Sequence, residues 1–175
     1  MIKSFKESGV LLLLMTLLTG IVYPGVITAI SQIVWPFQAN GSLIQDNHGV
    51  NRGSYLLGQN YSQNNYFHFR PLTGKDNSGK GNLAVSSPQR RQLEKQYAKP
   101  NMPAVLATIS ASGVDPDLPL NAAVYQIPRV AKALHIPESQ LNAVIQKQSQ
   151  GGILGPRYVN VMRLNQELEK MSKIH

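Results

Sequence analysis

The chain opens with one long apolar block and continues as a mosaic of short apolar and polar runs. Between Ser8 and Gln45 there is no charged side chain, and "GVLLLLMTLLTGIVYPGVITAISQIVWP" runs apolar from Gly9 to about Trp35. A bilayer core of roughly 30 Å needs about 20 helical residues, so this block is long enough to span with some tilt. Pro24, followed by Gly25 near the middle, removes a backbone donor and crowds the preceding turn, which predicts a kink there.

Past Pro36 the pattern changes. Asn40 to Gly81 is polar and rich in Gly and Asn, broken by "SYLLGQ" and "YFHF", which read as short strands joined by turns. "SSPQRRQLEKQYAKP" predicts a short helix with Ser87 as cap, Pro88 at its first position and Pro100 beyond its end. "AVLATIS", residues 104 to 110, reads as a β-type run closed by Gly113. A helix from about Asn121 to His135 puts Ala123, Ile127, Val130, Ala131 and Leu134 on one face, with Pro128 kinking or breaking it. "IPESQLNAVIQKQSQGG" is a further helix with Leu141, Val144 and Ile145 as its stripe and Gly151 as its stop. "RYVNVM" reads as a last strand, and Leu164, Leu168 and Met171 mark an amphipathic C-terminal helix. The expected fold is α+β: a cytoplasmic stretch of residues 1–8, a transmembrane helix over 9–35, and a single mixed extracytoplasmic domain over 36–175.

Charge sets the orientation. Lys3 and Lys6 precede the apolar block and the next basic residue is Arg52, so the short N-terminus is expected to stay in the cytoplasm. A cleaved signal peptide is the rival, with Val10 to Leu18 as its apolar region, but the apolar run continues well beyond that length. The best small-residue cut, after Ala29, also has the bulky Ile27 two positions before it. An uncleaved anchor is favoured. Cysteine is absent, which excludes disulfide staples and thiol chemistry.

From Ser42 onward 15 Lys and Arg face 8 Asp and Glu, a net of +7. That balance suits anionic lipid or an acidic partner surface. Arg90 and Arg91 are the one adjacent basic pair, and no basic stripe interleaved with aromatics marks a nucleic-acid binder.

Candidate chemistry is sparse. "GKDNSGKG", Gly74 to Gly81, has phosphate-loop spacing, but Gly81 stands where Ser or Thr would hold magnesium, and no buried strand precedes it nor helix follows. There is no Gly-x-Ser-x-Gly and no His-Glu-x-x-His, and His48, His68, His135 and His175 are dispersed. His68 is expected in a strand among aromatics. In "SASGVDPDLP", Asp115 and Asp117 lack the third oxygen ligand and glycine of a calcium loop. A shaped turn is one reading: Gly113 allows positive φ, Asp115-Pro116 starts a turn, and Pro119 with Asn121 prepares the next helix. A partner-contact loop near the helix bearing Arg129 and Lys132 is the other. No catalytic or metal-binding residue is assigned.

Taken together, "LLTGIVYPGVIT", "QANGSLI", "RGSYLLGQNYS" with "YFHFRP", "GNLAVSSP", "SASGVDP", "YQIPRVAKAL" and "VNVMRLNQELEK" resemble, in that order, the C subunit of the Kdp-type potassium-transporting P-type ATPase. The resemblance covers nearly the whole chain. It implies a non-catalytic subunit of a bacterial inner-membrane complex, with one span beside the potassium-translocating subunit, an ATP-hydrolysing P-type subunit in the same assembly, and the soluble domain outside. It also implies a catalytic chaperone that raises the pump subunit's affinity for ATP, with ATP a possible ligand in that complex. The motif positions matched are Gln59, Arg70, Gly113, Asp115, Gln126 and Arg129, candidate partner contacts. Within the span, Thr16, Gly20, Pro24 and Gly25 offer small and hydroxyl-bearing faces for helix packing. The competing functions are a membrane-anchored hydrolase, for which Ser112 would be the nucleophile to test, and a periplasmic ligand-binding module.

Overall fold

A proline that cannot donate a hydrogen bond shapes the first unit. In this computed structural model, which describes residues 2–46, 48–71 and 83–172, α1 covers Ile2–Leu17 and α2 covers Tyr23–Val34. Between them Leu18–Val22 is a π-helical turn, in which the Tyr23 N–H donates to the Leu18 carbonyl. The wide turn ends just before Pro24, whose ring would otherwise press on the carbonyl of Gly20 four residues back. The interruption expected at Pro24 is therefore a widened turn on its N-terminal side. Thr19 returns its hydroxyl to the Met15 carbonyl at 2.7 Å, so a polar group in an apolar segment is satisfied locally.

From Phe5 to Val34 the helix is 30 residues long and apolar, about 45 Å at 1.5 Å per residue. It ends at Trp35 because Pro36 disfavours helical backbone in the residue before it. A short α3, Pro36–Ala39, follows. Asn40 closes the corner, donating to the Pro36 carbonyl at 2.7 Å and exchanging carboxamide hydrogen bonds with Gln32.

The second unit comprises Ile44 to the C-terminus. A hairpin pairs β1, Leu43–Gln45, with β2, Asn51–Ser54. Asp46 shapes its turn: Oδ1 accepts from the His48 and Val50 amides at 2.9 and 3.0 Å, and Oδ2 meets Arg52. Those backbone bonds, Val50 first, hold the Asp46 carboxyl below its ordinary pKa, with Arg52 adding to the effect and burial opposing it.

Helix α4 is Pro88–Tyr97. The second strand pair, β3 (Asp117–Pro119) and β4 (Tyr158–Asn160), is antiparallel with Leu118 opposite Val159, and both side chains are buried. Helices α5 (Leu120–Tyr125), α7 (Glu138–Gln148) and α8 (Val161–Ser172) pack on this pair, and α6 (Ile127–Leu134) packs on α5 and α7. Their expected stripes are inside: Ala123, Ile127, Val130 and Ala131, then Leu141 and Ile145, then Leu164 and Leu168 are buried, while Leu134, Val144 and Met171 pack at the margin. The break foreseen around Pro128 falls at Gln126, and Pro128 enters α6 in its first turn, where no N–H is required.

Three expected strands are corrected. "AVLATIS" instead forms a 3-10 turn at Ala104–Leu106, because Pro103 offers its carbonyl to the Leu106 amide at 2.9 Å and Ala107 bonds Ala104 at 3.0 Å. "SYLLGQ" leaves β2 after Ser54, whose carbonyl and hydroxyl bind the Leu57 and Leu56 amides. "YFHF" has no strand partner among the described residues; side chains of Asn165 and Gln126 take its backbone groups, as set out below. "RYVNVM" is a strand only to Asn160, where α8 starts. The near-phosphate loop, 74 to 81, lies outside the described residues.

Candidate partner-contact site

The segment from Tyr66 to Arg70 is held by carboxamides where a neighbouring strand would serve in a sheet. Asn165 Oδ1 accepts from the Phe67 amide at 2.8 Å and Asn165 Nδ2 donates to the Phe67 carbonyl at 3.0 Å. One residue on, Gln126 does the same to His68, accepting at 2.7 Å and donating at 3.0 Å. Successive residues of an extended chain direct their backbone groups to opposite sides. The segment is thus clasped from α8 on one side and from the α5–α6 break on the other.

Gln126 is itself oriented. Its Nε2 donates to the Ala122 carbonyl at 3.4 Å, and Arg129 Nη2 donates to its Oε1 at 2.8 Å while Arg129 Nη1 donates to the Asn64 carbonyl at 2.7 Å. Burial lowers the Arg129 pKa, but a guanidinium keeps its proton. Beside it, His68 approaches the Gln63 carbonyl through Nε2 at 2.9 Å. Burial pulls the imidazole pKa down, the Gln63 carbonyl opposes this, and Arg129 and Lys99 add to the lowering.

Arg70 reaches the other predicted cluster. Its Nε donates to the Thr108 carbonyl at 3.1 Å, and Nη2 donates to the Thr108 hydroxyl at 3.3 Å and the Ile109 carbonyl at 3.0 Å. Nη1 lies 3.6 Å from Asp115 Oδ2. Burial lowers the Arg70 pKa, Asp115 opposes that, and Arg90 adds to it.

Within the loop, Ser110 is buried; its hydroxyl accepts from the Asp115 amide and its carbonyl from the Gly113 amide. Gly113 takes φ +74°, and Asp115 Oδ1 accepts from the Asp117 amide at 3.1 Å. Asp117 in turn accepts from Asn160 Nδ2 at 3.0 Å. The two carboxylates are therefore spent on turn geometry, the Arg70 pair and the Asn160 bond. The Ser112 hydroxyl faces Ser110 and the Val114 amide.

Arg70 and Asp115 meet, as do Gln126 and Arg129, while Gln59 sits apart. Gln59 Nε2 donates to the Arg52 carbonyl at 2.8 Å and lies where a Cβ on Gly53 would be. Its neighbour Gly58 touches the loop instead: its amide donates to Val114 at 2.7 Å, and a Cβ there would fall 3.0 Å from Phe69 and 3.1 Å from the Asp115 carbonyl. In the first unit, Thr16, Gly20, Pro24 and Gly25 lie on or beside the π-turn.

Sequence reasoning missed Asn160 and Asn165. Asn160 caps α8 by accepting from the Arg163 amide at 3.1 Å, and donates to the Tyr55 carbonyl at 2.8 Å. The Tyr55 ring lies under the Arg163 guanidinium, 4.9 Å to its centroid, and its hydroxyl donates to Gln166. Asn165 carried a signal that was legible: an amide beside Leu164 in the buried stripe of an amphipathic helix needs partners.

Among the described residues no three metal-ligating side chains cluster, and no buried side-chain polar atom lacks a partner. The fold and the site define an α+β protein with one helix long and apolar enough to cross a membrane, in which the polar constellations brace backbone segments. A family model described as "K+-transporting ATPase, c chain" matches residues 5–170. The "Potassium-transporting ATPase KdpC subunit" of Pseudomonas putida (strain GB-1) is 42% identical over 172 residues, covering 93% of this chain and 94% of the relative. That of Escherichia coli O127:H6 is 42% identical over 180 residues, covering 92% and 94%. The protein of the same name from Shigella flexneri serotype 5b is 41% identical over 183 residues, with the same coverage. The chain belongs to the K+-transporting ATPase c-chain (KdpC) family, a subunit of the potassium uptake complex.

Proposed function

We propose that this chain is a non-catalytic subunit of a high-affinity, ATP-driven potassium pump of the bacterial inner membrane. In this reading Phe5–Val34 is a single-pass anchor with a cytoplasmic N-terminus, and residues 36–175 lie on the periplasmic side. The span packs beside the potassium-translocating subunit through Thr16, Gly20, Pro24 and Gly25. Arg70, Gly113, Asp115, Gln126 and Arg129 keep a contact face in shape, and Gln59 contributes through the separate Arg52–Gly53 segment. Hydrolysis belongs to another subunit, whose affinity for ATP this chain raises as it assists assembly.

The observation that carries the proposal is a chain that bears a 30-residue apolar helix and a domain in which Arg70, Asp115, Gln126 and Asn165 are occupied with holding its own backbone, together with the match to the c-chain family over residues 5–170. An effect on ATP use then travels through differential contacts with the pump's states, as coupling between separate sites requires; direct contact of this chain with ATP is the further step of the same reading.

The test is to tag the C-terminus, solubilise native membranes of potassium-starved cells in mild detergent, and identify what copurifies. Recovery with a P-type ATPase subunit and a potassium-translocating subunit is the expected result. The ATP dependence of hydrolysis by the assembly, with and without this chain, then measures the effect on affinity. A stable, folded chain recovered alone would overturn the reading.

A further inference from the structure

Pro24 leaves two main-chain acceptors of the long apolar helix without their ladder donors. The α-helical donor to the Gly20 carbonyl is the N–H of residue 24, which proline lacks. The α-helical donor to Thr19 is the Tyr23 N–H, and in the π-turn that group is given to the Leu18 carbonyl. A Ser or Thr hydroxyl three or four residues on can serve a freed carbonyl in a span. Those positions are Val22, Tyr23 and Pro24, none of which carries a hydroxyl short enough to fold back on the preceding turn. Thr19 cannot help either, because its hydroxyl donates its one proton to the Met15 carbonyl at 2.7 Å.

The two carbonyls lie too deep for solvent. The 30 residues from Phe5 to Val34 place 15 on each side of the Thr19–Gly20 bond, about 22 Å of helix at 1.5 Å per residue. A hydrocarbon core of roughly 30 Å extends about 15 Å to either side of its centre. Headgroups and interfacial water therefore end short of the pair, and acyl chains have no donor to offer. The site is also open. A Cβ on Gly20 would meet nothing within 4 Å, so a neighbouring helix can approach closely enough to reach the main chain.

We propose that the Thr19 and Gly20 carbonyls accept hydrogen bonds from a hydroxyl or carboxamide side chain on a transmembrane helix of another pump subunit, which makes the π-turn a polar docking point inside the span. The proposal rests on the accessory-subunit reading above and names the chemistry of its membrane contact. Lipid is the poorer occupant because neither its tails nor, at that depth, its headgroups can donate. A second, parallel copy of this chain would bring the same acceptors to the same depth, so the donor belongs to a different chain. A neutral donor fits better than Lys or Arg, since a charge at mid-bilayer is costly.

Pro24→Ala restores the missing N–H and closes the ladder. Alanine favours helix far more than proline does, so a loss of binding in this variant does not come from an unravelled span. In the full chain, copurified from native membranes, Pro24→Ala should lower retention in the pump by about three- to tenfold under a stringent detergent wash, the range of interhelical hydrogen bonds, with far-ultraviolet circular dichroism kept. The photocrosslinker p-benzoylphenylalanine placed at Ile21, an exposed position of the π-turn, identifies the neighbour. Crosslinks to a transmembrane segment of another pump subunit that bears Ser, Thr, Asn or Gln are expected. Replacing that donor by an apolar residue should lower retention by the same factor as Pro24→Ala, and the double variant should lose no more than either single one, because both remove one bond. Additive losses, wild-type retention of Pro24→Ala, or crosslinks only to lipid or to a second copy, from a chain that still copurifies with the pump, would overturn the docking point and leave the accessory role standing. A chain that copurifies with no pump subunit would overturn both.

Discussion

Asn165 on α8 and Phe67 in the preceding loop region are joined through both main-chain polar groups of Phe67, at 2.8 and 3.0 Å, with both residues fully buried. A side-chain amide here replaces a strand. Replacing Asn165 by Leu leaves a buried donor and a buried acceptor unpaired, each costing about 1–3 kcal/mol. Thermal unfolding of the full chain in detergent should show Asn165→Leu as one of the most destabilising single changes in α8, whereas Lys170→Leu, at an exposed position of the same helix, should move the midpoint little.

Arg70 and Asp115 give a separable pair of effects. Arg70→Met removes three hydrogen bonds to Thr108 and Ile109, and charge-assisted bonds are worth about 1.5–3 kcal/mol each, so amide exchange across residues 108–117 should accelerate strongly. Asp115→Asn removes an ion pair at 3.6 Å whose carboxylate is over a third exposed, for which about 0.5 kcal/mol or less is expected. Equal effects from the two variants would mean that the ion pair, and not the guanidinium fork, holds the loop.

His68 predicts acid sensitivity. Burial holds its folded pKa below the ordinary 6.5, so as pH falls through that value the unfolded chain takes up the proton first and stability drops. The loss is complete once pH lies below the folded pKa. The midpoint of unfolding should therefore fall between pH 8 and 5, and His68→Gln should flatten that part of the profile.

Asp117 acts in the opposite sense. Burial, joined by the Asp115 charge, raises its pKa above 3.8, against the Asn160 bond and Arg163. The folded state then holds the proton more tightly, so stability declines as pH rises through the window above 3.8. Asp117→Asn keeps an oxygen for Asn160 and removes the buried charge. It should stabilise the chain at pH 7 by less than about 1 kcal/mol, with the gain vanishing near pH 4.

Gly20→Leu tests the span. A bulky side chain inside the π-turn, four residues before Pro24, blocks close helix approach while leaving the sequence of the second unit unchanged. Copurification with the other pump subunits should be lost while far-ultraviolet circular dichroism is kept. Intact assembly would remove this face as the docking surface.

What the sequence determined was periodic or punctuated. The charge-free apolar block is set by composition alone, and the buried faces of α6, α7 and α8 follow from 3.6-residue spacing because each helix buries one stripe. Prolines at 24, 36, 88 and 128 marked their interruptions and starts by removing a donor. Gln126 and Arg129 were singled out only as positions of the family motif, while Gly113, Asp115 and Pro116 were legible as turn formers.

Tertiary structure decided where the loop backbones find partners. "YFHF" has strand composition, yet Asn165 lies 98 residues away from Phe67 and Gln126 58 away from His68, and no local pattern encodes that meeting. "AVLATIS" likewise lost its strand because Pro103 closed a turn and Arg70, 38 residues upstream of Thr108, took its carbonyls. Buried backbone groups must be paired, but which side chain pairs them is set by how the helices pack around the β3–β4 ladder.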